Sequence, residues 1–174
     1  MKRFSSTTDI LAGSIIPGFI AILAIVTGIA GYFASQSAIN EPAAYIGFFA
    51  PVLLGGLLIT FYGYKPLAIT ITTAEVGIAR KLAPVSIPYS EISTVQLLED
   101  KDLSGAVRTF GNGGLFGYTG KYYKNPFGSM TWYCTQRKNY LLIEKKDGKK
   151  IVITPDQPLE VLATIKEHAP HLFA

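Results

Sequence analysis

The chain contains one cysteine, Cys134, and only two histidines, His168 and His171, which lie near its C-terminal end. A single cysteine excludes an intramolecular disulfide and a cysteine-rich zinc site, and we predict Cys134 to be a strand residue. The acidic residues are scattered, and none accompanies a histidine and a hydroxyl in a motif typical of catalysis. The most concentrated group, at 99–102, is typical of a solvated loop. We therefore expect no enzyme, no catalytic residue, no metal site and no cofactor.

Charge is absent from two long stretches of the chain. No Asp, Glu, Lys or Arg occurs between Ile10 and Phe33 or between Ala43 and Tyr64. Each stretch exceeds the roughly 20 apolar residues that a helix needs to cross a membrane. The alternatives are buried helices of a soluble domain and a cleaved signal peptide, whose apolar core is usually only about 7–15 residues long. We predict two membrane helices, at about 10–33 and 43–64.

The basic residues predict how such a hairpin is oriented. Lys2 and Arg3 precede the first helix, and Lys65 follows the second, whereas the turn from Ser35 to Pro42 has no lysine or arginine. The positive-inside rule then places both termini in the cytoplasm. The predicted organisation is an inner-membrane hairpin over 1–64 and a cytoplasmic domain over 65–174. Neither helix carries a charge that would mark a transport pathway.

The pattern after residue 65 is mostly that of β-strands. Alternation of apolar and polar residues, with turn residues between the runs, predicts seven strands. They are 67–72, 77–82, 85–89, 92–98, 130–138, 140–145 and 150–154. Asp147-Gly148 joins the last two as a hairpin. Asp156 is a candidate N-cap for a final amphipathic helix that begins near Pro158 and ends before Pro170.

This order, about seven strands followed by one helix, resembles that of bacterial pleckstrin-homology (PH) domains that follow a two-helix membrane anchor. The similarity is carried by Ile69–Thr72 with Glu75–Arg80, Ile87–Ile92, Gly113–Gly120, Tyr133–Lys138 and Lys150–Pro158. It implies an α+β chain in which a transmembrane hairpin is followed by a mainly β, PH-like barrel capped by its C-terminal helix. PH-type domains bind several kinds of ligand, so the similarity implies a binding or scaffolding role. The first hairpin turn, at 73–76, is acidic, unlike that of phosphoinositide-binding members.

The stretch from Arg108 to Tyr133 is rich in glycine and aromatic residues. Its glycines do not have the spacing of a phosphate-binding loop or of a dinucleotide fingerprint, and no helix pattern follows them. Aromatic rings beside cations can stack nucleic acid bases. However, a basic face beside a membrane is more simply explained by anionic lipid head groups. We expect neither nucleotide nor nucleic acid binding.

Two interpretations of this stretch remain open. In the first, it folds over the barrel and buries its own rings, among them Phe110 and Trp132. In the second, it is exposed and docks on a protein partner, another copy of the chain or the membrane interface, because loops this long are usually functional. The candidate partner-binding residues are then Leu115, Phe116, Tyr118, Tyr122, Tyr123 and Phe127. An alternative function is recognition of anionic lipid by Arg108, Lys121, Lys124, Arg137 and Lys138.

Overall fold

The computed structural model describes residues 1–8, 10–36 and 42–173, without the side chains of 10–16, 33–34, 42–48 and 50. Helix α1 spans Ile10–Gln36 and α2 spans Pro42–Gly63, so both uncharged stretches are helical. Within the described part of the chain, no helix is long and apolar enough to cross a membrane. The transmembrane assignment of this hairpin is therefore not supported by the structure. Most of the predicted turn, at 37–41, lies outside the described residues.

A strand that the sequence analysis missed precedes the hairpin. Strand β1, Lys2–Ser5, pairs antiparallel with β2, Ala68–Ile71, and it buries Phe4 in the main core. We had assigned this segment only to the flank of the first helix. Just after β1, the Ser6 hydroxyl donates to the Thr154 carbonyl at 2.9 Å, and the Thr7 amide donates to Asp156 at 3.0 Å. The helical hairpin is thus inserted between two neighbouring strands of one sheet.

The smaller sheet has four strands in the order β1-β2-β3-β4. Strand β3 spans Glu75–Ala79 and β4 spans Val85–Pro88. The turn between β2 and β3 is shorter than predicted, because the Thr72 hydroxyl accepts hydrogen bonds from the amides of Ala74 and Glu75. This closes the chain locally, so β3 begins at Glu75 instead of Gly77.

The larger sheet has six strands in the order β5-β9-β10-β8-β7-β6. Their ranges are Ile92–Leu97 (β5), Val107–Gly113 (β6), Tyr118–Lys124 (β7), Gly128–Cys134 (β8), Leu141–Lys145 (β9) and Lys150–Ile153 (β10). All neighbours are antiparallel except β10 and β8. The Asp-Gly hairpin between β9 and β10 is confirmed, with Gly148 at φ +79°.

The described chain therefore has ten strands where the sequence predicted about seven. Besides β1, the additional strands are β6 and β7, which form a hairpin over 107–124, almost entirely within the glycine-rich stretch. Glycine weakens the sequence pattern that predicts a strand, yet this hairpin requires glycine at two positions. Gly111 and Gly120 face each other across the two strands with φ angles of +106° and +130°. These are angles that other residues rarely adopt.

Two apolar cores lie on opposite faces of the larger sheet. The main core lies between the sheets and is closed by helix α4, Pro158–His168, which packs Val161 and Ile165 inward. The N-cap of α4 is Gln157 and not Asp156, because the Asp156 carboxylate binds Thr7. The second core, here called the outer cluster, covers the other face. Its buried members are Leu98, Leu103, Tyr118, Tyr122, Met130, Trp132, Cys134, Tyr140, Leu142 and Val152.

Candidate functional site

The β6–β7 hairpin has one buried and one exposed face. Tyr118 and Tyr122 project from β7 into the outer cluster, where the Tyr122 ring stacks on Trp132 at a centroid distance of 4.1 Å. Burial raises the pKa of Tyr122 to about 12, against a lowering by Arg108. Phe127 packs at the margin of the same cluster. Three of the six candidate partner-binding residues therefore belong to the apolar core or its margin.

The opposite face of this hairpin is an exposed apolar patch. Val107 pairs with Tyr123, and Phe110 pairs with Lys121, so the four side chains share one face. Val107 is 64% exposed, Phe110 76% and Tyr123 46%. The patch also borders the free edge of β6, the last strand of the sheet. Of the predicted partner-binding residues, only Tyr123 lies on it. Phe110, which one interpretation placed in the core, is its most exposed ring.

The tip of the β6–β7 hairpin contacts the end of the helical hairpin. The Leu115 amide donates to the Asn112 side chain at 3.0 Å, which shapes the tip. Phe116 sits there at φ +63°, and its ring meets the edge of Tyr62 at 5.3 Å. Both candidates, Leu115 and Phe116, are half-buried. Phe116 thus contacts the protein's own helix α2 in this structure.

Cations and aromatic rings meet at this junction. The Arg80 guanidinium lies 5.4 Å from the centre of the Tyr64 ring and 5.0 Å from that of Tyr133. The Lys81 ammonium lies 4.4 Å from the centre of the Tyr62 ring and donates to its hydroxyl at 3.2 Å. Neither cation forms an ion pair among the described residues. Lys81 is exposed, whereas Arg80 is half-buried and also donates a hydrogen bond to the Ala83 carbonyl.

The candidate lipid-binding residues do not form one surface. Arg137 packs over Tyr118 at 4.8 Å, at the end of β7 nearest the junction. Lys138 is exposed in the same loop, and the Arg108 side chain extends toward Gly113. Lys121 lies farther along β7, and Lys124 is at the other end of that strand, about 20 Å from Tyr118 at 3.3 Å per residue. The charge pattern alone did not distinguish these two groups.

A cavity of about 390 Å³ opens beside the outer cluster. Its wall includes Trp132, Arg137 and Tyr140 on one side and the segment 100–106 on the other. That segment holds the short helix α3, Asp100–Leu103, instead of the predicted loop. The Glu99 amide donates to the Asp102 carboxylate at 2.9 Å, in a reciprocal cap at the start of α3. The acidic residues at 99–102 therefore help to position one wall of the cavity.

Other reactive groups near the cavity are held in unreactive states. Burial raises the pKa of the Cys134 thiol, which donates to the Val152 carbonyl at 3.5 Å. A thiol in this state is a poor nucleophile. Burial also raises the pKa of Tyr140, and Cys134 adds to this effect, whereas Arg137 lowers the pKa. Among the described residues, no three histidine, cysteine or acidic side chains are close enough to hold a metal ion.

Comparison with known proteins identifies the β domain. Residues 67–169, more than half of the chain, match the family described as bacterial PH domain. No curated protein and no solved structure shows a significant match to the chain. The matched range begins at β2 and ends just after α4, so it leaves out β1 and the helical hairpin.

Proposed function

Since the chain belongs to the bacterial PH domain family, we propose that it is a non-catalytic binding module that its helical hairpin attaches to a membrane. A PH-type domain is a binding or scaffolding module, and the site decides which ligand it takes. The observation that carries the proposal is the exposed apolar surface of the hairpin. Its described members include Ile22, Ile25, Ile29, Val52, Leu53 and Ile59, each more than half exposed. Soluble proteins rarely leave such a surface uncovered.

Lipid is the cover that best fits the composition of both helices. The uncharged stretches run from Ile10 to Phe33 and from Ala43 to Tyr64 in the sequence. Tyr62, Tyr64, Arg80 and Lys81 lie at the base of α2. Rings and cations are typical of the level where a membrane meets water. Arg80 and Lys81, as basic residues that follow the hairpin, also favour an inner-membrane location with both termini in the cytoplasm.

The attachment is tested by extracting membranes that contain the full chain with alkaline carbonate. We expect the wild type to stay with the lipid. Ile25→Lys with Ile59→Lys should release a large part of it, because a lysine near the middle of a membrane helix costs roughly 3 kcal/mol. Leu159→Lys, an exposed change on helix α4 of the β domain, is the control and should be retained. A wild-type chain that carbonate extracts completely would refute the membrane proposal.

The partner surface that we propose is the exposed β6–β7 patch, and its partner is a second copy of the chain. An unpaired edge strand presents free backbone groups that a neighbouring strand can pair with. Two β6 strands related by a two-fold axis would join their sheets and cover both copies of Phe110. The molar mass of the full chain in detergent tests this. We expect a dimer that Phe110→Ser makes monomeric, and that Leu97→Ser, on the opposite edge strand β5, leaves intact. A monomeric wild type would refute self-association.

Recognition of anionic lipid is the second candidate, and the unpaired cations at the junction favour it. Binding of a soluble short-chain phosphatidylglycerol to the full chain in detergent, compared with phosphatidylcholine, measures it. Charge-driven binding should weaken strongly at high salt. Arg80→Gln with Lys81→Gln should reduce it, whereas Lys121→Gln with Lys124→Gln should not. Equal binding of the two lipids would exclude this candidate.

A further inference from the structure

One polar group in the core of the β domain has no hydrogen-bond partner among the described residues. The Nε1 atom of Trp132 is shielded from solvent, and no described residue accepts a hydrogen bond from it. The Trp132 side chain is almost completely buried, with Tyr122 stacked on its ring. A buried N–H that lacks a partner costs about 1–3 kcal/mol. Such a group is rare in folded proteins, in which buried donors usually have an acceptor.

Trp132 is also part of the wall of the 390 Å³ cavity. This volume lies in the range of small-molecule sites, which are mostly apolar with a few convergent polar groups. Here Trp132, Tyr140, Leu103 and Ala106 supply the apolar and aromatic wall. The cavity therefore has the size of a ligand site, and one residue of its wall carries a screened N–H donor that no described residue accepts from.

The charges around the cavity favour an anionic ligand. Lys101 is held by Glu99 at 2.6 Å, and the Asp100 carboxylate accepts the Asn139 amide at 3.2 Å. Arg137 lines the same cavity and has no ion pair among the described residues. Its guanidinium remains available to an anion, for which its planar donors are well suited. Asp100 also lines the cavity and repels an anion, so the part of the wall that favours an anion is the Arg137 guanidinium.

From these observations we propose that the cavity binds a small organic acid with a planar apolar body. The carboxylate accepts from the Trp132 indole N–H and from Arg137, and the apolar body lies between Tyr140 and the segment 103–106. The indole nitrogen is screened in this structure, so the wall must shift to admit an oxygen. Lys101 and Ser104 are exposed residues of this wall. This site does not depend on membrane attachment or on self-association.

Trp132 is the only tryptophan of the chain, so its indole N–H gives a single, unambiguous signal in a nitrogen-edited NMR spectrum. The full chain in detergent is titrated with benzoate, and with benzyl alcohol as the neutral analogue. We expect benzoate to move the indole proton downfield and to saturate, and benzyl alcohol to have little effect. Arg137→Gln should weaken benzoate binding about tenfold, the loss expected for one charge-assisted hydrogen bond. Arg3→Gln, which removes an exposed arginine on strand β1, should leave it unchanged.

Four results would overturn the proposal. An indole signal that does not respond to benzoate at tens of millimolar shows that the cavity takes no such acid. An equal response to benzyl alcohol shows that the carboxylate is not recognised. Equal binding by the wild type and Arg137→Gln removes the assigned role of the guanidinium. Ala106→Leu, which fills the cavity from its opposite wall, should abolish binding while the circular dichroism spectrum stays that of the wild type. Full benzoate binding by this variant would also overturn the assignment.

Discussion

Replacing Phe4 by alanine tests whether the N-terminal strand belongs to the β domain. The Phe4 ring is only 7% exposed and packs in the main core, although the helical hairpin separates it in sequence from every neighbour it contacts. Removing a buried phenylalanine side chain typically costs about 3–5 kcal/mol. Whole domains are stable by only about 5–15 kcal/mol. Phe4→Ala should therefore remove a large fraction of the stability of the β domain.

Urea unfolding of the full chain in detergent, followed by Trp132 fluorescence, measures this loss. With about 2 kcal/mol per molar of urea, a loss of 4 kcal/mol lowers the midpoint by about 2 M. Lys2→Ala on the same strand is the matched control. It removes only the exposed ion pair of Lys2 with Glu167 at 3.7 Å, which contributes at most about 1 kcal/mol. A midpoint for Phe4→Ala no lower than that of Lys2→Ala would refute the assignment of β1 to the core.

Two further predictions concern the attachment of the hairpin and the glycine-rich strands. Burial raises the pKa of Asp156, but hydrogen bonds from Ser5 and Thr7 outweigh it, and the net pKa is lowered. A lowered pKa stabilises the fold above the usual Asp value of about 4, and this contribution is lost as pH falls through the folded pKa. Asp156→Asn should therefore be less stable than the wild type at pH 7 and show a smaller decrease between pH 5 and pH 2 in urea unfolding; parallel pH profiles would contradict this. Gly120→Ala should destabilise the protein by more than the roughly 1–2 kcal/mol that an alanine costs in a left-handed backbone conformation. The additional cost arises because the new methyl group would meet the Phe110 backbone. Gly128→Ala is the control: Gly128 also has a positive φ of +76°, but a methyl group there meets no other atom, so this variant has only the conformational cost. Equal unfolding midpoints for the two variants would contradict the packing argument.

Local sequence patterns were sufficient for the elements whose signals are strong and continuous. The alternation at 92–98, the Asp-Gly turn and the amphipathic final helix appear in the structure within one or two residues of the prediction. The two uncharged stretches are helices. Each of these elements depends on neighbours in sequence, through side-chain periodicity or turn geometry.

The glycine-rich stretch shows where such patterns fail. Its sequence allowed both a buried and an exposed interpretation, and the structure contains both. Tyr122 on β7 and Phe110 on β6 belong to the same hairpin but project from its opposite faces. Tyr122 is buried in the outer cluster, whereas Phe110 is exposed to solvent. The exposed face lies at the edge of the larger sheet. Which face of a strand is buried depends on what the rest of the chain places against it.

The sequence by itself determined the apolar hairpin, most of the strands, the closing helix and the resemblance to PH domains. Only the tertiary structure decided that residues 2–5 complete the smaller sheet, because β1 pairs with a strand more than 60 residues away. It also decided that Trp132, Arg137 and the segment 100–106 surround one cavity. These arrangements arise from contacts between segments distant in sequence, whose register and facing no local periodicity specifies.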